Sequence, residues 1–153
     1  MALLVVPPMI VMAPWEVGFR CSCHLGGALR PVVSARKRAS ARDIALQLLT
    51  GLYSGMPVTD EEGRVVGVIT ELDLLKAVAE GKDLIKTTAE EIMNREVMTA
   101  NVETPVDDLI KIMTDQHVIR VPITDTERGR LVGVVARCDV LRALIEPEFV
   151  TYA

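Results

Sequence analysis

Part of this chain repeats itself, and the repeat constrains the fold more than any other feature. The segment Gly63-Arg-Val-Val-Gly-Val-Ile-Thr-Glu-Leu-Asp73-Leu-Leu-Lys-Ala77 returns as Gly129-Arg-Leu-Val-Gly-Val-Val-Ala-Arg-Cys-Asp139-Val-Leu-Arg-Ala143. Eight of these fifteen positions are identical at an offset of 66. Upstream, Met56-Pro-Val-Thr-Asp60 matches Val121-Pro-Ile-Thr-Asp125 at an offset of 65, so one residue is inserted in the turn that follows. Further back, Val32-Val-Ser34-Ala35 aligns with Val97-Met-Thr99-Ala100, and Asp43 with Asp108. A unit of about 50 residues therefore occurs twice, near 32–80 and 97–146. One such unit is too small to bury its own apolar faces, so duplication points to two copies behaving as one domain.

The pattern within one copy is readable. In the second copy, Thr104-Pro105-Val106-Asp107 has the chemistry of a helix start: a capping Thr, Pro at the first helical position and acids in the first turn. Leu109, Ile110, Ile112 and Met113 continue that helix to about His117. Val118–Thr124 is rich in Val and Ile and reads as a strand. The polar turn 125–129 ends in Gly129, and Arg130–Val135 is the second strand. A second helix, Cys138–Ile145, is stopped by Pro147. The first copy reads the same way: helix 41–52, strand 56–59, turn 61–63, strand 64–69, helix 71–79. Between the copies, Thr87 and Glu90 have the spacing of a capping box for a short connecting helix. Val65–Ile69 is apolar throughout, as expected of a strand covered on both faces.

Composition narrows the function. The chain has 153 residues; half are hydrophobic, 3% are aromatic, and the net charge is −4. An acidic chain with so few rings lacks both the basic footprint and the stacking platform of a nucleic-acid binder. No apolar run is long enough to span a membrane. Cys21, Cys23 and Cys138 do not make a disulfide framework, so a reducing, cytoplasmic setting is expected. Residues 1–14 are apolar but interrupted by Pro7, Pro8 and Pro14, and no basic region precedes the apolar stretch, which argues against a secretory signal. Cys21-Ser-Cys23-His24 has no second ligand pair at zinc-site spacing, so no metal is expected. No nucleophile elbow or P-loop is present, and no enzyme activity is expected.

The paired pattern Met-Pro-Val-Thr-Asp60 and Gly67-Val-Ile-Thr70-x-x-Asp73-Leu-Leu resembles the cystathionine-β-synthase (CBS) domain, and two in tandem resemble a Bateman module. The resemblance implies an α+β fold of two CBS repeats, each β-α-β-β-α, packed sheet to sheet with pseudo-twofold symmetry. It divides the chain into repeats at 31–82 and 97–147, a connecting helix at 83–96, an atypical extension at 1–30 and a tail at 148–153. It also implies a regulatory, non-catalytic role. The module would bind an adenosine compound (AMP, ADP, ATP or S-adenosylmethionine) in a cleft between the repeats, need no cofactor, form a homodimer through its helices and modulate a partner.

The residues themselves allow two readings. Asp73 in a first helical turn can accept both hydroxyls of a ribose diol, while Thr70 and the helix start suit a phosphate. Equally, Thr70 and Asp73 can simply cap and complement the helix. Gly67, inside a strand, marks a close backbone approach, and Gly133 is its counterpart. In the second copy Ala136 replaces the Thr, Asp139 remains and Arg137 is new. Arg120, which the resemblance places against a phosphate, corresponds to Gly55 in the first copy, so the two clefts are not expected to be equivalent. A surface ion pair is the other reading of Arg120. His117 fits a helix cap better than a ligand contact. Ser34 and Thr99 hold matched positions that could frame a ligand. Val58 and Ile123 could supply apolar walls or be ordinary strand core.

Overall fold

The computed structural model describes residues 32–141 and residue 144. Two compact units divide them, the first built from Val32–Val97 with Arg128–Leu131 and the second from Met98–Glu127 with the residues from Val132 onward. Each unit carries a three-stranded sheet. The expected features of residues 1–30 and of the tail lie outside the described residues.

The first unit runs β1 (Ala35–Arg36), α1 (Ala41–Gly51), β2 (Gly55–Thr59), β3 (Val65–Thr70), α2 (Glu71–Ala79) and α3 (Ala89–Ile92). Strand β1 pairs in parallel with β2, Ala35 opposite Val58, and β2 pairs antiparallel with β3, Gly55 opposite Thr70. Helix α1 starts where the Ser40 hydroxyl accepts the Asp43 N–H at 3.1 Å. Its apolar positions Ala41, Ile44 and Leu48 share one face and are buried with Met56, Val58, Ile69 and Leu74. The helix ends at Leu52, whose φ of 54° lies in the left-handed region.

Residues 83–94 lace onto this unit through backbone bonds. Ala41 N–H donates to Thr87 O at 2.8 Å, Arg42 N–H to Leu84 O at 3.0 Å, and Ala89 N–H to Ala39 O at 2.9 Å. The capping box lies one residue later than the sequence suggests. Thr88, not Thr87, caps α3, with its N–H and hydroxyl both donating to Glu91 Oε2. Thr87 is held on both sides, donating to Asp83 O and accepting from Ala41, so Thr88 is the last extended residue. The Thr88 N–H, then its hydroxyl, hold the Glu91 carboxyl below its usual range.

Strand β3 alternates rather than being covered evenly: Gly67 and Ile69 are buried, while Val66 and Val68 are half-buried. Its outer edge is closed by the chain beyond α3. Val68 and Asn94 exchange N–H···O bonds of 2.9 Å in each direction, and the Met93 side chain lies over Gly67.

The second unit repeats the plan with β4 (Ala100–Asn101), α4 (Val106–Asp115), β5 (Arg120–Thr124) and β6 (Leu131–Ala136), followed by helix at residues 137–141 and 144. Strand β4 pairs in parallel with β5, Ala100 opposite Ile123. Its core is Val106, Leu109, Met113, Val121, Ile123, Val135 and Val140. The start of α4 departs from expectation. Pro105, extended at ψ 151°, is the capping residue rather than the first helical one. The Thr104 hydroxyl turns back to accept the Asn101 N–H at 3.0 Å, so it is spent on the turn before the helix. His117 then takes φ 54°, the same left-handed stop that Leu52 provides in the first unit. Among the described residues no helix is long and apolar enough to cross a membrane.

Candidate functional site

The strand directions gather the candidates. In the first unit β2 begins and β3 ends at one end of the sheet, Gly55 opposite Thr70, while β1 enters further along, Ala35 opposite Val58. Gly55 and Thr70 therefore meet there, followed at once by α2 and Asp73, while Ser34 precedes the point where β1 enters beside Val58. In the second unit β4 likewise enters beside Ile123, three residues along β5 from Arg120, with Thr99 just before it. Ala136 ends β6, and Asp139 follows in the next helical turn.

The two strand-to-helix junctions are built alike. Asp73 Oδ2 accepts the Thr70 N–H at 2.8 Å, and Asp139 Oδ2 accepts the Ala136 N–H at the same distance. Glu71 N–H donates to Ser54 O and Arg137 N–H to Ile119 O, each at 3.1 Å. In the first unit the Thr70 hydroxyl also donates to Asp73 Oδ2, at 2.6 Å, and accepts the Asp73 N–H at 3.3 Å. A carboxylate only accepts, so the hydroxyl proton must point at Asp73. Thr70 and Asp73 thus form a complete capping box, the structural alternative that the sequence left open. Asp73 is half-buried and its Oδ1 makes no hydrogen bond among the described residues, which leaves one carboxylate oxygen for a ligand. Asp139 is more enclosed, at 4% exposure.

The other candidates scatter. Val58 and Ile123 are fully buried, at 0% exposure, and belong to the two cores, the strand-core alternative of the two readings. Gly67 does mark a close approach, but what approaches is the chain itself: a Cβ there would stand 2.5 Å from Met93 Sδ and 3.0 Å from Asn94 O. Gly133 is buried in β6. The Arg137 guanidinium ties down the end of α4, with Nε donating to Val118 O at 3.0 Å and Nη2 to Met113 O at 3.4 Å. Arg120 is half-buried; Ser34 is half-buried and Thr99 exposed. The carbonyls of Ser54 and Ile119, which hold the first helical N–H of each junction, were not foreseen, because backbone acceptors leave no mark in residue identity.

A groove of about 460 Å³ in the second unit lies on the helical side. Met113, His117, Arg137, Leu141 and Leu144 line it, without Arg120 or Asp139. The first unit presents exposed Leu46, Leu49, Leu72, Leu75 and Val78 on α1 and α2. These apolar helix faces are distinct from the sheet-end junctions.

Two copies of a β-α-β-β-α unit, each closing on a carboxylate at its last strand-to-helix junction, define a paired-repeat α+β module. The chain belongs to the CBS domain family, which matches residues 28–80 and 89–146. It is 36% identical over 113 residues to the L-aspartate semialdehyde sulfurtransferase of Methanocaldococcus jannaschii, covering 74% of this chain and 21% of that protein. It is 32% identical over 124 residues to an uncharacterized protein of Methanopyrus kandleri, covering 80% of this chain and 62% of that one. The chain thus spans about a fifth of the first relative and about three fifths of the second. Among solved structures, it is similar to the CBS domain pair of protein MJ0100 in complex with 5′-methylthioadenosine and S-adenosyl-L-methionine. That match has 35% identity and TM-score 0.65, and covers 74% of this chain and 92% of that one. The CBS-domain protein ATU1752 of Agrobacterium tumefaciens is 32% identical with TM-score 0.63, covering 76% and 90%.

Proposed function

We propose that this chain is a regulatory CBS pair that binds an adenosine compound of the AMP, ADP, ATP or S-adenosylmethionine type. The reading is that binding modulates a protein partner or the packing of its own homodimer, in a cytoplasmic setting and without a required cofactor. The observation that carries it is the repeated junction: a carboxylate held at 2.8 Å from the last strand N–H in both repeats, with a free Asp73 oxygen in the first. The remaining oxygen of a carboxylate fixed in this way can accept from a ribose hydroxyl at a reduced ordering cost. The solved relative with 5′-methylthioadenosine and S-adenosyl-L-methionine supports an adenosine compound. The sulfurtransferase relative is matched over 21% of its length, which accords with a regulatory segment rather than a catalytic one.

A thermal-shift and calorimetric panel of AMP, ADP, ATP, S-adenosylmethionine and 5′-methylthioadenosine tests this reading. A saturable shift for at least one compound is expected; no response to any of them at millimolar concentration refutes it. A second reading, a dimerising module with no ligand, is favoured by one observation: Asp73 already completes a capping box, and Ala136 lacks the hydroxyl altogether.

A further inference from the structure

Beyond the adenosine reading, we infer that the groove on the helical side of the second unit binds a small amphipathic carboxylate, its aliphatic chain along the groove and its anionic head at Arg137 and His117. The groove holds about 460 Å³, inside the range of about 300–1,000 Å³ found for small-molecule sites. It has an apolar length and a cationic end. Ile110, Met113 and His117 mark it along α4 and its stop, a path of about 10 Å at the rise of a helix. Met113 and Val140 are buried in the core of the second unit, which fixes the floor. Leu141 and Leu144 stand exposed at the rim.

Backbone carbonyls anchor the cationic end. Arg137 Nε donates to Val118 O at 3.0 Å and Nη2 to Met113 O at 3.4 Å, which holds the guanidinium at the end of α4. Its Nη1 makes no hydrogen bond among the described residues, so both N–H groups of that nitrogen remain to donate. His117, next to Val118 in the chain, brings an imidazole to the same end. None of the lining residues among those described is acidic. Donors that are already anchored lose little freedom on binding. A carboxylate, planar with two acceptor oxygens, matches a guanidinium edge and an imidazole N–H. A phosphate dianion would bring more charge into an apolar groove than one guanidinium balances. The aliphatic chain follows from the walls, where each methylene laid on Ile110, Met113 and Val140 leaves water.

Calorimetric titration of the whole chain with butyrate, hexanoate and octanoate, and with octylamine and octanol, tests this. Octanoate should bind about tenfold tighter than hexanoate, and hexanoate about tenfold tighter than butyrate, the step expected for two buried methylenes. Octylamine and octanol, which lack the charge-assisted pair, should bind at least about tenfold more weakly than octanoate. Leu141→Glu, at an exposed position, places a like charge at the rim and should weaken octanoate by about tenfold or more; Leu144→Glu is the second variant. His117→Asn, which tolerates the left-handed backbone, should weaken it by about threefold. Octylamine or octanol binding as tightly as octanoate overturns the assignment of the head. Affinities indifferent to chain length overturn the assignment of the apolar length. Octanoate binding untouched by either glutamate variant lies on another face and overturns the site. No binding of octanoate by the whole chain overturns the proposal; a mass that Leu141→Glu then halves in light scattering gives the groove to a second copy. The adenosine reading stands or falls separately, on the nucleotide panel.

Discussion

Gly67→Ala measures how closely the chain beyond α3 packs on β3. The added Cβ would sit 2.5 Å from Met93 Sδ, 2.9 Å from Met93 Cγ and 3.0 Å from Asn94 O. The sulfur belongs to a flexible side chain, but Met93 is buried at 8% exposure among Ile69, Leu74 and Ala89 and has little room to move. The third contact is backbone, and it belongs to the residue that exchanges two 2.9 Å hydrogen bonds with Val68. Overpacking of this kind costs about 1–3 kcal/mol. Replacing a strand Gly by Ala returns about 0.5–1 kcal/mol through the unfolded chain. The net expectation is therefore a loss of about 0–2.5 kcal/mol, read as a lower urea midpoint at unchanged slope. Met93→Ala alone should cost about 2–5 kcal/mol as a buried truncation. Combined with Gly67→Ala it should cost less than the sum, because the new methyl fills the space the methionine vacates. Strictly additive costs, or a stabilising Gly67→Ala, would refute the packing argument.

Three further perturbations follow from the same structure. Leu52 is 74% exposed with φ 54°, so Leu52→Gly relieves left-handed strain and should stabilise by about 0.5–1 kcal/mol in urea unfolding; a loss of stability would contradict it. At Asp60, burial pushes the carboxyl up, but the Arg64 N–H and guanidinium and the Glu62 N–H outweigh it and leave the pKa below its ordinary value. A depressed folded pKa contributes stability that is present above about pH 3.9 and lost as pH falls through the folded value. Asp60→Asn should therefore destabilise at pH 7, and the gap to wild type should begin to narrow once the pH falls below about 3.9; a gap independent of pH would refute it. The exposed Leu49 and Leu75, at 69% and 65%, fit the proposed homodimer face, so light scattering should show a dimer that Leu49→Glu with Leu75→Glu converts to monomer. A wild-type monomer at high concentration would remove that assembly.

Much of the fold could be read from residue types. Helix α1, predicted over 41–52, forms over Ala41–Gly51, and β2, β3 and α2 fall within a residue of expectation. The periodic placement of Ile44 and Leu48, the apolar run Val65–Ile69 and the Gly63 turn carry that information locally. Two of the misses share one cause. Thr87 against Thr88, and Thr104 against Pro105, are choices between adjacent candidates that were settled by backbone bonds to Asp83, Ala41 and Asn101. Local pattern does not contain those partners.

The site divides the same way. Residue identity alone established two copies of one unit, a carboxylate at matched positions in each, a hydroxyl in the first only and an arginine in the second only. Tertiary structure decided what those groups are free to do. It sent the Thr70 proton to Asp73, gave the first α2 N–H to the Ser54 carbonyl, buried Val58 and Ile123 in the cores and laid Met93 over Gly67. The physical reason is that a donor's availability depends on its geometric partners. Most of those partners here are backbone atoms, which every residue carries and no sequence distinguishes.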